Sequence, residues 1–136
     1  MVTFSILNDK DKLHQLKNYY TITLYPDIEK YEILHIVLEH LIVELRKLKE
    51  EGLEDNQGIK WKVELYFSSD WKFLVICLGM NAANSKYFCP WCEVSKEQQE
   101  DFLYNWTISK TIDQICENYK IYKGHIKPPI FDIIPL

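Results

Sequence analysis

The chain has 136 residues, 47% apolar and 26% charged, with a net charge of −4 at pH 7, a length that suits one domain with a buried core. An aromatic share of 14% beside four glycines and five prolines excludes a disordered chain, and no apolar run reaches the roughly 18 residues that a bilayer span needs. The acidic balance excludes a strongly basic nucleic-acid binder but leaves room for a local basic patch.

Val2, Phe4 and Ile6 alternate with Thr3 and Ser5, which predicts a strand from Val2 to Leu7. Asn8 to Asn18 carries Asp9, Lys10, Asp11 and Lys12 and reads as a long loop or a short helix. Tyr20 to Tyr25 is rich in β-branched and aromatic residues, a second strand. Pro26-Asp27 opens a helix, with Asp27 as the expected N-cap and Gly52 as the stop. Tyr31, Leu34, Leu38, Leu41, Leu45 and Leu48 recur at steps of three and four, and Ile33, Ile36, Val37, Ile42 and Val43 widen the stripe. Such a helix is expected to be buried or covered on two sides; a coiled-coil seam is the rival. Arg46-Lys47-Leu48-Lys49 puts cations at the end the helix dipole favours.

Glu54 to Gly58 is a turn, and Ile59 to Phe67 alternates again, with Trp61, Val63, Leu65 and Phe67 on one face. Ser68-Ser69-Asp70 ends this third strand. Trp71 to Met80 is apolar and predicted helical, closing near Gly79, and Asn81 to Lys86 is a loop. Glu93 to Tyr104 and Thr111 to Tyr122 read as two further short helices. The segment from His125 to Leu136 holds Pro128, Pro129 and Pro135, so it is extended and is neither one regular helix nor a central strand.

The start, MVTFSILNDK, has no basic region with an apolar stretch behind it and does not read as a signal peptide. Reduced thiols are then expected, in an intracellular protein of the nucleus or cytoplasm with no membrane partner. Cys77 and Cys116 read as small buried hydrophobes. Cys89-Pro90-Trp91-Cys92 differs: two residues between thiols let both sulfurs reach one tetrahedral metal, or each other. Strand, strand, long helix, strand, helix suggests a mixed α/β sheet, and Asp70 stands at the C-terminal end of its third strand. Ligand groups in α/β sheets favour that edge. The plainer reading is that Asp70 caps the helix beginning at Trp71.

Ser68-Ser69-Asp70-Trp71-Lys72-Phe73-Leu74 and Ala82-Ala83-Asn84-Ser85-Lys86-Tyr87-Phe88-Cys89-Pro90-Trp91-Cys92 resemble transposase-like proteins of the DDE recombinase type. This is the group of the Transib transposases and the catalytic subunit of the V(D)J recombinase. The nineteen residues from Asp70 to Cys89 are similar to the family separation, as are Trp106-Thr107-Ile108 and the tail from Pro129 to Leu136. The likeness is strongest from Trp61 to Ile108.

The resemblance implies a partial ribonuclease-H-like mixed sheet with a long helix over residues 1–80, then a small helical CxxC-containing segment and extended tail over 81–136. It implies that Asp70 is the second metal-binding carboxylate and that Cys89 and Cys92 are half of a structural zinc site. The family reaction is cleavage and joining of DNA strands with Mg2+ or Mn2+ held by three carboxylates. In the family the first Asp lies upstream of this chain and the last Glu and two His ligands lie beyond Leu136. The resemblance thus implies a fragment, inactive alone. Asp9 and Asp11 match nothing in the family pattern, and Ser68 and Ser69 replace two glycines.

Within the chain, Cys116 and His125 are the candidates to complete a zinc site, while His14, His35 and His40 read as surface or satisfied core residues. A rival function is a CxxC thiol oxidoreductase, in which a helix N-terminus lowers the first thiol's pKa. Another is a non-catalytic zinc-, protein- or nucleic-acid-binding remnant. Its open sheet edge would pair with another chain, and Trp71, Trp91 and Trp106 with Lys72, Lys86, Lys96 and Lys110 would meet DNA. Glu93, Glu97, Glu100 and Asp101 crowd the same region.

Overall fold

A computed structural model describes residues 2–5, 20–23, 29–82, 84–101, 103 and 107–134. Its elements are β1 (Val2–Phe4), β2 (Tyr20–Thr23), α1 (Tyr31–Glu51), β3 (Leu53–Glu54), β4 (Lys60–Trp61), α2 (Trp71–Cys77) and α3 (Ile112–Asn118). Single 3-10 turns cover Lys96–Gln98 and Tyr119–Ile121. The predicted loop at 8–18, the N-cap Asp27, His14 and Trp106 lie outside the described residues.

The 21-residue α1 begins at Tyr31 with Lys30 in the cap position, rather than at Pro26-Asp27. It stops at Gly52, whose φ of 77° few side chains tolerate and whose N–H bonds the Leu48 carbonyl at 3.0 Å. A Cβ at Gly52 would also stand 2.5 Å from the Trp61 carbonyl oxygen. Leu34 and Leu38 are fully buried, each stabilising by about 1.5–3 kcal/mol. Ile36 and Val43 on the opposite side are 71% and 58% exposed. The expected two-sided covering is therefore corrected: α1 buries one stripe, against α2 and the C-terminal tail.

The strands form two separate antiparallel pairs, β1–β2 and β3–β4. The composition is mixed α/β, and the single mixed sheet expected from element order is not formed among the described strands. The third strand is shorter than its alternation predicts. Only Lys60 and Trp61 join a ladder, with Glu54 and Leu53. Beyond them Val63, Leu65 and Phe67 are half-buried while Lys62, Glu64, Tyr66 and Ser68 are exposed. The period-two pattern survives without a ladder because alternation sets which face is wet, whereas a ladder needs a neighbouring backbone.

The helix expected from Glu93 to Tyr104 is reduced to the turn at Lys96–Gln98. Ser95 and Gln98 form a capping box, but Ser95 also bridges back to Tyr87 and holds the chain extended there. The last predicted helix is present as α3 with its 3-10 extension. Thr111 caps it, and Gln114 Oε1 accepts from the Thr111 N–H at 3.1 Å.

One core joins α1, α2 and the tail: Leu34, Leu38, Phe73, Cys77, Ile130, Phe131 and Ile134. The extended tail is fastened along its length. Ile130 N–H bonds the Cys77 carbonyl at 2.6 Å and Ile126 N–H bonds that of Gly79 at 2.8 Å. Arg46 forks onto both Asp132 oxygens at 2.9 and 2.8 Å. This core spans the sequence division at 80/81.

Candidate functional site

Asp70 is the N-cap of α2. Its Oδ1 accepts from the Phe73 N–H at 2.9 Å, which satisfies one of the helix's orphan donors. The carboxylate is exposed, and the plainer of the two readings, the cap of α2, is the one formed here. The cap fixes where the carboxylate sits, and exposure leaves it open to a cation.

Cys89 and Cys92 flank Pro90-Trp91 at a bend where the Pro90 ring fixes one backbone dihedral, their sulfurs 2.9 Å apart and both buried as free thiols. Burial first, then the neighbouring Cys89 thiol, push the Cys92 thiol pKa up. No helix of the described residues starts at this pair. The thiolate-activating dipole of a redox motif is thus lacking there.

The structure brings these two sequence-predicted features together. Trp71 follows Asp70 and Trp91 stands between the cysteines, and the two rings meet with centroids 5.8 Å apart, tilted by 55°. Beside Trp91, Phe67, Leu74, Phe131 and Ile134 line a pocket of about 110 Å3.

Two thiolates on one tetrahedral zinc stand about 3.8 Å apart, so Cys89 and Cys92 need to spread by about 0.9 Å from their 2.9 Å separation to chelate one ion. The pair fits half a site. No His, Cys, Asp or Glu joins them in a group of three among the described residues, so these residues do not close a zinc site. The same holds at Asp70, where no second and third carboxylate gather.

Cys116 and His125 are not brought to the pair. Cys116 is exposed rather than buried, its thiol 4.0 Å from the Asp132 carbonyl, and partial burial with Asp132 and Asp113 nearby pushes its pKa up to about 11. Cys77 does behave as a core hydrophobe, its pKa pushed up to about 12 by burial. His125 is buried, with Nδ1 3.1 Å from the Leu78 carbonyl and Nε2 without a hydrogen-bond partner. Burial, then the Lys110 charge, hold its pKa down to about 4, so the ring is neutral.

Lys72, Lys86, Lys96 and Lys110 each have a partner within the chain. Lys110 is 1% exposed, and its amine donates to the Lys123 carbonyl at 2.8 Å and the Cys89 carbonyl at 3.2 Å. It is a staple under the cysteine turn, unavailable to phosphate, and burial lowers its pKa. Lys72 pairs with Glu29 at 2.9 Å, Lys86 with Glu97 at 3.1 Å, and Lys96 donates to the Asn84 carbonyl. Sequence reasoning missed the roles of Lys110 and His125, because their partners lie 13 to 47 residues away.

No protein-family model, curated protein or solved structure matches the chain. No helix of the described residues is long and apolar enough to cross a membrane.

Proposed function

We propose that the chain is a segment of a transposase-like DNA strand transferase of the DDE type, with a ribonuclease-H-like core. Asp70 would be one of its metal-holding carboxylates, and Cys89 and Cys92 half of a structural zinc site. The observation that carries this reading is the Trp71–Trp91 contact, in which the residue after Asp70 meets the residue between Cys89 and Cys92. The motifs over 68–74 and 82–92 and the alternating stretch leading into Asp70 support it.

In such sites two divalent cations activate the attacking oxygen and stabilise the leaving one. This chain's residues do the positioning. The Phe73 amide holds one oxygen of Asp70, and Lys110 fixes the backbone under Cys89. Such sites hold their two cations with three carboxylates, and no second or third gathers at Asp70 among the described residues, so strand cleavage by this chain alone is not expected.

The thiol half is tested with cobalt(II) as a zinc probe. Thiolate-to-cobalt absorption is expected with the wild-type chain and with Cys77→Ser and Cys116→Ser, and lost in Cys89→Ser and Cys92→Ser. Absorption that survives in both of the last two overturns the assignment. A CxxC thiol oxidoreductase is disfavoured because no helix of the described residues begins at the pair to lower the first thiol's pKa. A non-catalytic binding remnant is the second reading, favoured by the unladdered stretch 62–69.

A further inference from the structure

The stretch after β4 is pleated like a strand and has no strand beside it among the described residues. On its exposed face Lys62 Nζ lies 3.7 Å from Glu64 Oε1, and the Tyr66 hydroxyl donates to Glu64 Oε2 at 3.1 Å. Contacts at i, i+2 on one side require extended backbone. On the other face Leu65 and Phe67 pack onto the core, with Phe67 5.0 Å from the Phe131 ring. The ladder with β3 stops at Trp61, and no backbone hydrogen bond joins 62–69 to any described residue. A pleated segment whose backbone groups meet no described strand is a template for another strand.

We propose that the strand added is the same segment of a second copy, running antiparallel about a two-fold axis at Val63. The charge pattern selects this register. Centred on Val63, Lys62 of each copy stands opposite Glu64 of the other, and Lys60 opposite Tyr66. On the opposite face Trp61 meets Leu65 and Ile59 meets Phe67. Moving the axis to Glu64 opposes two glutamates, and moving it to Lys62 opposes two lysines. Lys62 and Glu64 are 85% and 63% exposed, and Trp61 and Ile59 are 57% and 49% exposed, so the pairing surface is accessible. The product is a continuous four-stranded sheet, β3–β4–β4–β3, with an isologous interface. It stands independently of the strand-transfer reading, since it uses neither Asp70 nor the cysteines.

Light scattering over a concentration series tests it, with the wild type, Lys62→Glu, Glu64→Lys and the double exchange. The wild type is expected to dimerise. Each single variant opposes like charges at two symmetric places and weakens the dimer roughly tenfold, while the double exchange restores it. A chain that stays monomeric, a dimer indifferent to the single variants, or a double variant as weak as the singles overturns the proposal. In a Cys116→Ser background, Val63→Cys places two thiols on the axis, at a Cα separation of about 4.5–5.5 Å that a disulfide spans. A dimer in which these thiols fail to cross-link on oxidation overturns the register.

Discussion

Asp70 caps α2, and two substitutions separate that role from its negative charge. Asp70→Ala removes the acceptor that meets the Phe73 amide at 2.9 Å. Loss of an N-cap side chain costs about 1 kcal/mol, within a range of about 0.5–2. In a chain of 136 residues that corresponds to a drop in Tm of about 3–5 °C. The cost is felt by the whole fold because α2 places Phe73 and Cys77 in the core shared with α1 and the tail. Asn caps nearly as well as Asp, so Asp70→Asn is expected to stay within about 0.5 kcal/mol of wild type while losing the negative charge. Urea melts followed by circular dichroism measure both. An Asn variant as unstable as the Ala variant, or an Ala variant as stable as wild type, refutes the capping role.

His125 is neutral in the fold at about pKa 4 and near 6.5 when unfolded. Its folded-state value is the lower one, so the stability it contributes is present above about pH 6.5 and is lost as pH falls toward 4. The loss is on the order of 2–3 kcal/mol, read as a fall in midpoint that His125→Gln flattens. Lys110→Met leaves the Cys89 and Lys123 carbonyls without their donor and is expected to cost about 1–3 kcal/mol in a denaturant melt. Leu38→Ala, at a fully buried site, costs about 2–5 kcal/mol, while Ile36→Ala, 71% exposed, stays within about 0.5.

The three helices were legible because their signals are local. The leucine steps of α1 with Gly52 behind them, Asp70 before α2, and Thr111 with Gln114 before α3 each specify a helix from neighbouring residues. Alternation over 59–67 marked Leu65 and Phe67, which meet the core, but put Trp61, which is exposed, on the same face, and the ladder depends on a distant partner that the pattern does not contain. The Glu93–Tyr104 stretch carries helical spacing, and the bridge from Ser95 to Tyr87 overrides it. The misreading of Lys110 has the same origin. Ser109-Lys110-Thr111 looks like a solvated run, and only the folding back of Cys89 and Lys123 supplies the carbonyls that let an amine be buried. At the site, the CxxC spacing announced the paired sulfurs and Asp70 announced its cap, whereas their adjacency through Trp71 and Trp91 is a tertiary fact.

The central claim is the proposed role of Asp70 as a metal-holding carboxylate. Paramagnetic broadening of NMR signals by Mn2+ tests it most directly, because it reports where the ion sits in the folded chain. The account predicts that signals of Asp70, Trp71 and Trp91 broaden together and that Asp70→Asn abolishes the effect while leaving the fold intact. Broadening centred elsewhere, or broadening at Trp71 and Trp91 that survives in Asp70→Asn, would contradict it.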